Sequence, residues 1–178
     1  MTALRWSIHS PEDLKVALSE AYRGGRIPSF IDSTLEVRGR AGSAFTLGNR
    51  VAPFGVIVYG PSPVYTEGDL VVVAKESAVV YATERSLVDA YDSATVYAYG
   101  RSEVEIHEGA SVYVASDDVS VTVYGAGTVY LPREGVNGSK ACVTTVGRGA
   151  DILQGSQLRL TPPLPTPTDQ PASRPTNP

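Results

Sequence analysis

The sequence predicts an all-β chain: a parallel β-solenoid with two short strands per sixteen-residue coil, an N-terminal capping helix and a proline-rich C-terminal tail. Three observations predict it. A valine recurs every eight residues, small or apolar residues stand two places to either side of it, and tyrosine fills every second position just after it.

The valine series runs Val64, Val72, Val80, Val88, Val96, Val104 and Val112. It resumes at Val121 and Val129 after one extra residue near Asp117 and Asp118. Two places later stand Thr66, Ala74, Ala82, Ala90, Ala98, Ile106, Val114, Val123 and Leu131; two places earlier stand Ser62, Leu70, Ala78, Ser86, Ala94, Ser102, Ala110, Val119 and Gly127. Side chains alternate across a strand, so these three positions share one side, and that side is the core. Connecting triplets such as Lys75-Glu76-Ser77 and Tyr91-Asp92-Ser93 are rich in the Gly, Asp and Ser that turns require. So short a strand cannot bury an apolar face alone, whereas stacked copies share one core.

The position after each valine reads Tyr65, Val73, Tyr81, Asp89, Tyr97, Glu105, Tyr113, Thr122 and Tyr130. Tyrosine alternates, so the structural period is sixteen and each coil holds two strands; three strands would make it twenty-four. Two unlike faces follow. One carries Tyr65, Tyr81, Tyr97, Tyr113 and Tyr130 as a ladder about 19 Å long at the usual strand spacing. The other passes from Val71, Val73 and Leu87 to Asp89, Glu103 and Glu105, then to Ser120 and Thr122.

Taken in chain order, residues 1–60 read as an N-terminal cap with irregular first coils. Ser10-Pro11-Glu12-Asp13 starts a helix, with a capping hydroxyl, proline in the first turn and acids at the positive end of the dipole. Leu14, Ala17, Leu18, Ala21 and Tyr22 share one stripe, and Gly24-Gly25 stop the helix near residue 23. Such a helix can cover the open end of the core, which would otherwise offer unpaired edges. Strands are expected at Thr34–Arg38, Ser43–Leu47 and Gly55–Tyr59, and residues 61–132 form the regular solenoid. Residues 133–160 close it, with strands at Ala141–Val146 and Gln157–Leu160. Residues 161–178 hold seven prolines and no aromatic residue, the composition of an extended arm outside the fold.

The string Ser93 to Gly100, reading Ser-Ala-Thr-Val-Tyr-Ala-Tyr-Gly, resembles the octapeptide-repeat proteins of actinobacteria and their bacteriophages. Its neighbours Glu76–Ala82 and Gly109–Ala115 share the pattern. The segment Pro11–Leu18, followed by Leu35–Val37, is similar to the capping helix of many right-handed parallel β-helices. The resemblance implies a right-handed solenoid and carries over no functional residue. The pattern is broken at Val104–Ile106 and Val121–Val123, where larger apolar groups replace alanine.

Charge and composition narrow the function. Residues 61–134 hold twelve acids and four bases, while the flanks hold seven acids and eleven bases. An acidic body repels phosphate, which argues against nucleic acid as a partner of the repeat block. No stretch is long and apolar enough for a membrane, the start lacks the pattern of a signal peptide, and the single Cys142 forms no internal disulfide. The expected location is cytoplasmic or virion-associated. His9, His107 and Cys142 stand at unrelated spacings, so no zinc site is expected, and no motif calls for a cofactor.

Parallel β-helices include polysaccharide lyases, whose sites need clustered acids and a neighbouring base. Asp89, Glu103 and Glu105 form the one carboxylate cluster that can be placed; Arg85 and Arg101, in turns, are expected to pair with it. The cluster reads either as a solvated acidic patch or as three ligands for a divalent ion. His107 reads as a solvated turn residue, and Gly125-Ala126-Gly127 lacks the helix that a dinucleotide fingerprint needs. No catalytic constellation emerges. The tyrosine ladder supports either sheet stability or recognition of a protein partner, a second copy or a polysaccharide. A non-enzymatic scaffold or binding module is therefore expected, with an acidic decoy or inhibitor that imitates nucleic acid or sequesters a small ligand as the alternative and a carbohydrate-active enzyme as the third reading.

Overall fold

Through the repeat the chain makes one short strand, turns, and makes the next strand in the opposite sheet. The computed structural model describes residues 4–23, 33–40, 42–132 and 141–154. Its elements are β1 (Leu4–Ile8), α1 (Pro11–Arg23), β2 (Ser33–Val37), β3 (Phe45–Leu47), a 3-10 turn (Asn49–Val51), β4 (Gly55–Tyr59), β5 (Pro63–Thr66), β6 (Val71–Lys75), β7 (Val79–Ala82) and β8 (Leu87–Ala90). There follow β9 (Thr95–Ala98), β10 (Glu103–Ile106), β11 (Ser111–Val114), β12 (Ser120–Tyr124), β13 (Thr128–Leu131), β14 (Cys142–Val146) and β15 (Asp151–Gln154). The first sheet runs β1-β2-β4-β6-β8-β10-β12-β14 and the second β3-β5-β7-β9-β11-β13-β15. Every pairing is parallel, and the coil has two strands.

The alternating pattern dictates the core. Val64, Val80, Val96, Val112 and Val129 line the second sheet, opposite Val72, Val88, Val104 and Val121, and all are buried. Alanine beside them lets the two sheets lie close. Where Ile106 and Val123 break the alanine pattern, the opposite sheet makes room. A Cβ on Gly127 would lie 2.8 Å from Ile106 Cδ1, closer than real side-chain atoms approach. The bulk added on one side is thus matched by a glycine on the other.

The turns repeat as strictly as the valines. Gly60, Gly68, Glu76, Glu84, Asp92 and Gly100, spaced by eight, all adopt positive φ. Three are not glycine, a conformation that costs an L-residue about 1–2 kcal/mol, and stacking holds them there. Asp92 Oδ2 accepts a bond from the Glu76 amide at 3.1 Å, and the Arg101 amide donates to the Glu84 carbonyl at 2.7 Å. Gly109, with φ +87°, has no such latitude, because a Cβ there would meet the Asp92 carbonyl oxygen at 2.3 Å.

At the N-terminal end, the Asp13 amide donates to Ser10 Oγ at 3.1 Å, while Asp13 Oδ2 accepts from the His9 and Ser10 amides. This reciprocal cap starts α1, whose Leu14 and Ala17 join the core beside Trp6. Strand β1 is an addition to the sequence reading, pairing with β2 ahead of the helix. At the other end, β14 agrees with the expected strand, but the last described strand is β15 at Asp151–Gln154. The strand expected at Gln157–Leu160, the stop at Gly24-Gly25 and the tail 161–178 lie outside the described residues.

Candidate functional site

Parallel pairing in register places each residue over the one sixteen or seventeen positions later. On the second sheet this brings together Tyr65, Tyr81, Tyr97, Tyr113 and Tyr130. Their rings stack face to face at centroid distances of 4.6, 4.8, 5.0 and 4.3 Å, with planes within 14° of parallel. Each inner ring is covered on both faces by its neighbours. What the ladder presents outward is a ridge of ring edges and phenol hydroxyls.

The ridge is uncharged. Along one flank run Pro63, Val79, Thr95, Ser111 and Thr128, a shelf of small side chains in the same register. Along the other, Tyr99 stands beside the ladder, close enough to contribute to the environment of Tyr81. Burial, helped by the neighbouring phenols Tyr65, Tyr97 and Tyr99, pushes the Tyr81 hydroxyl up to about 12. Tyr99 and Tyr113 are raised as well, again chiefly by burial.

The first sheet is built differently. Asp89 pairs with Glu105 and Leu87 with Glu103, so the three predicted acids do share adjacent rungs of one face. Ile57, Val71, Val73 and Leu87 form an apolar patch on the N-terminal side, and Ser120 and Thr122 follow on the other. Among the described residues no group of three or more His, Cys, Asp or Glu is arranged to hold a metal ion. The expected pairing of the acids with Arg85 and Arg101 is corrected. Arg85 makes a two-pronged bridge to Asp69 at 2.8 and 3.0 Å, and Arg101 lies 3.7 Å from Asp118. The turns stack on their own kind, so each arginine meets a carboxylate one coil away in the same column.

A second column on this sheet escaped the sequence reading. Arg38 lies over the Tyr59 ring at 3.7 Å and the Lys75 ammonium 5.7 Å from the Tyr91 ring centre. His107 stacks between Tyr91 and Tyr124 at 4.1 and 5.1 Å. His107 is therefore a half-buried member of an aromatic stack, not a solvated turn residue. The signal was available: Tyr59, Lys75, Tyr91 and His107 are spaced by sixteen. Arg38 also reaches the buried Glu36 at 3.6 Å, which Arg5 bridges from the other side at 3.3 Å.

No family model, curated protein or solved structure matches the chain.

Proposed function

We propose that the protein is a non-enzymatic binding module that docks onto a protein surface through its tyrosine face. The observation carrying this reading is the continuous uncharged ridge from Tyr65 to Tyr130 on an otherwise acidic repeat block. Tyrosine offers a large, stiff, amphipathic surface at low entropic cost, and aromatic residues are enriched at the buried centres of interfaces. A role in a larger assembly accords with the resemblance of Ser93–Gly100 to phage and actinobacterial repeats.

The geometry favours a protein partner over a polysaccharide. Sugars stack on the faces of aromatic rings, and here the inner faces are already covered by neighbouring tyrosines. An acidic decoy would need negative charge spread along the axis. On the first sheet within the repeat block the strand acids are confined to β8 and β10, with Val73 before them and Thr122 after.

The test replaces Tyr81, Tyr97 and Tyr113 together by threonine, which keeps β propensity and removes the rings. Stability should fall by roughly 0.5–1.5 kcal/mol per lost aromatic contact, measured by thermal unfolding. Association, measured on the same folded variant by sedimentation, should be lost. Association equal to that of the parent chain would remove the ladder as the docking face.

A further inference from the structure

We infer that the occupant of the tyrosine face is a second copy of this chain, lying parallel to the first, with the two-fold axis along the solenoid. The inference rests on the reading of that face as a docking surface and names its partner.

Charge limits which surfaces of two copies can meet. The repeat block carries twelve acids against four bases over residues 61–134, and the first sheet faces outward with Asp89, Glu103 and Glu105. Bringing two such surfaces together sets like charges against each other. The ridge and its shelf carry no charged residue from Pro63 to Tyr130, so two copies approach there without that penalty.

Repeat spacing favours a copy over an unrelated partner. Ring-to-ring distances of 4.3–5.0 Å are set by the strand stack itself. A second solenoid has the same repeat by construction, so every rung finds an equivalent rung.

Relief fixes the orientation. The tyrosines stand above the shelf of Val79, Thr95, Ser111 and Thr128, while Tyr99 occupies the opposite flank at mid-height. The rings are too closely stacked for a partner's rings to enter between them. They can, however, lie on the partner's shelf, where the hydroxyls of Thr95, Ser111 and Thr128 face incoming phenol groups. Mutual ridge-on-shelf packing requires a two-fold axis parallel to the solenoid and between the two columns. That operation reverses strand direction, keeps rung order, and puts both capping helices at the same end. A two-fold axis along the strands would set ridge against ridge and leave the shelves apart.

Size is sufficient but modest. Ridge and shelf cover on the order of 500 Å² per copy, about 1,000 Å² together, near the lower bound for a specific interface. The dimer should therefore be reversible and concentration-dependent.

The experiment uses the full chain. Sedimentation equilibrium should show a monomer–dimer equilibrium, with association weakened at least tenfold by Thr95→Asp, which charges the shelf and leaves the ladder intact. For orientation, Glu20→Cys in a Cys142→Ser background carries a spin label on the exposed face of α1. Parallel copies should give an inter-label distance below roughly 35 Å, against about 50 Å for antiparallel ones separated along the axis by about ten strand spacings. A parent chain that stays monomeric up to millimolar concentration overturns the second-copy inference and leaves docking to another protein. A dimer that survives both Thr95→Asp and the triple threonine variant overturns the tyrosine face itself. A dimer sensitive to both, but with the longer distance, overturns the parallel arrangement.

Discussion

The two outer faces rest on the same backbone repeat and on nearly the same inner residues, yet they are composed by opposite rules. On the second sheet one residue type is repeated at every rung. On the first the column next to the valines changes from Ile57 and Val73 to Asp89 and Glu105, then to Thr122. In-register parallel stacking brings like residues together, which suits tyrosine, whose rings attract when stacked with an offset. It does not suit charge: Asp89 lies directly against Glu105, a repulsive pair. In the column Arg38, Tyr59, Lys75, Tyr91 on the first sheet, aromatic rings stand between the cations. Uniform columns can be aromatic or aliphatic; charged columns must be broken.

The largest effect should come from exchanging residues between the faces. Tyr97→Asp removes two ring contacts and places a carboxylate between Tyr81 and Tyr113, for a loss of about 2–3 kcal/mol in denaturant unfolding. Asp89→Tyr on the other face relieves a like-charge contact and should stay within about 0.5 kcal/mol of the parent. Equal losses from both would mean that the faces do not differ in kind.

Alkaline titration sharpens the contrast. The Tyr81 hydroxyl is raised in the folded chain, so between pH 10 and about 12 the native state holds protons that the unfolded state releases. Stability from this group is complete below pH 10 and is lost as pH climbs through about 12. The melting temperature should fall over that interval, tracked with phenolate absorbance. Tyr91, on the first sheet, is raised by burial and then by Asp89 and Glu105. Added salt screens those carboxylates and should lower the Tyr91 midpoint more than that of Tyr81. Equal salt dependence would contradict this division.

A smaller loss than that of Tyr97→Asp is expected from His107→Ala, which opens the stack between Tyr91 and Tyr124 on the mixed face. A loss of about 1 kcal/mol is expected in thermal unfolding. No change would show that the stack adds nothing beyond strand pairing.

The sequence made the repeat block legible because inner valines, turn residues and tyrosines all carry the same period. The same period also held the Tyr91–His107–Tyr124 column, but His107 follows the last strand residue and was read with its turn. Strand β1 does alternate through Trp6 and Ile8, yet it stands outside the octads and lacks a turn marker before the helix. Residues 133–140 interrupt the spacing, so Asp151–Gln154 could not be reached by counting from Val129. Partners of the arginines are hidden from octad counting for a different reason. Octad counting tells which face a residue occupies, whereas the Arg85–Asp69 bridge depends on turns stacking on turns.

The strict alternation of sheets has a consequence for how such a chain can change length. Between Tyr113 and Tyr130 the count is seventeen, not sixteen, and the rings still stack at 4.3 Å, because the loop at Asp117 and Asp118 absorbs the extra residue. Small insertions in turns are thus silent. Losing a single octad would be quite different. The core would remain apolar, but every later outward residue would move to the opposite sheet, setting tyrosine above acid. Duplication or loss of a gene segment therefore preserves both surfaces only in whole coils of sixteen residues, each adding or removing about 4.8 Å of height. The molecule can evolve as a ruler, with the coil as its smallest graduation.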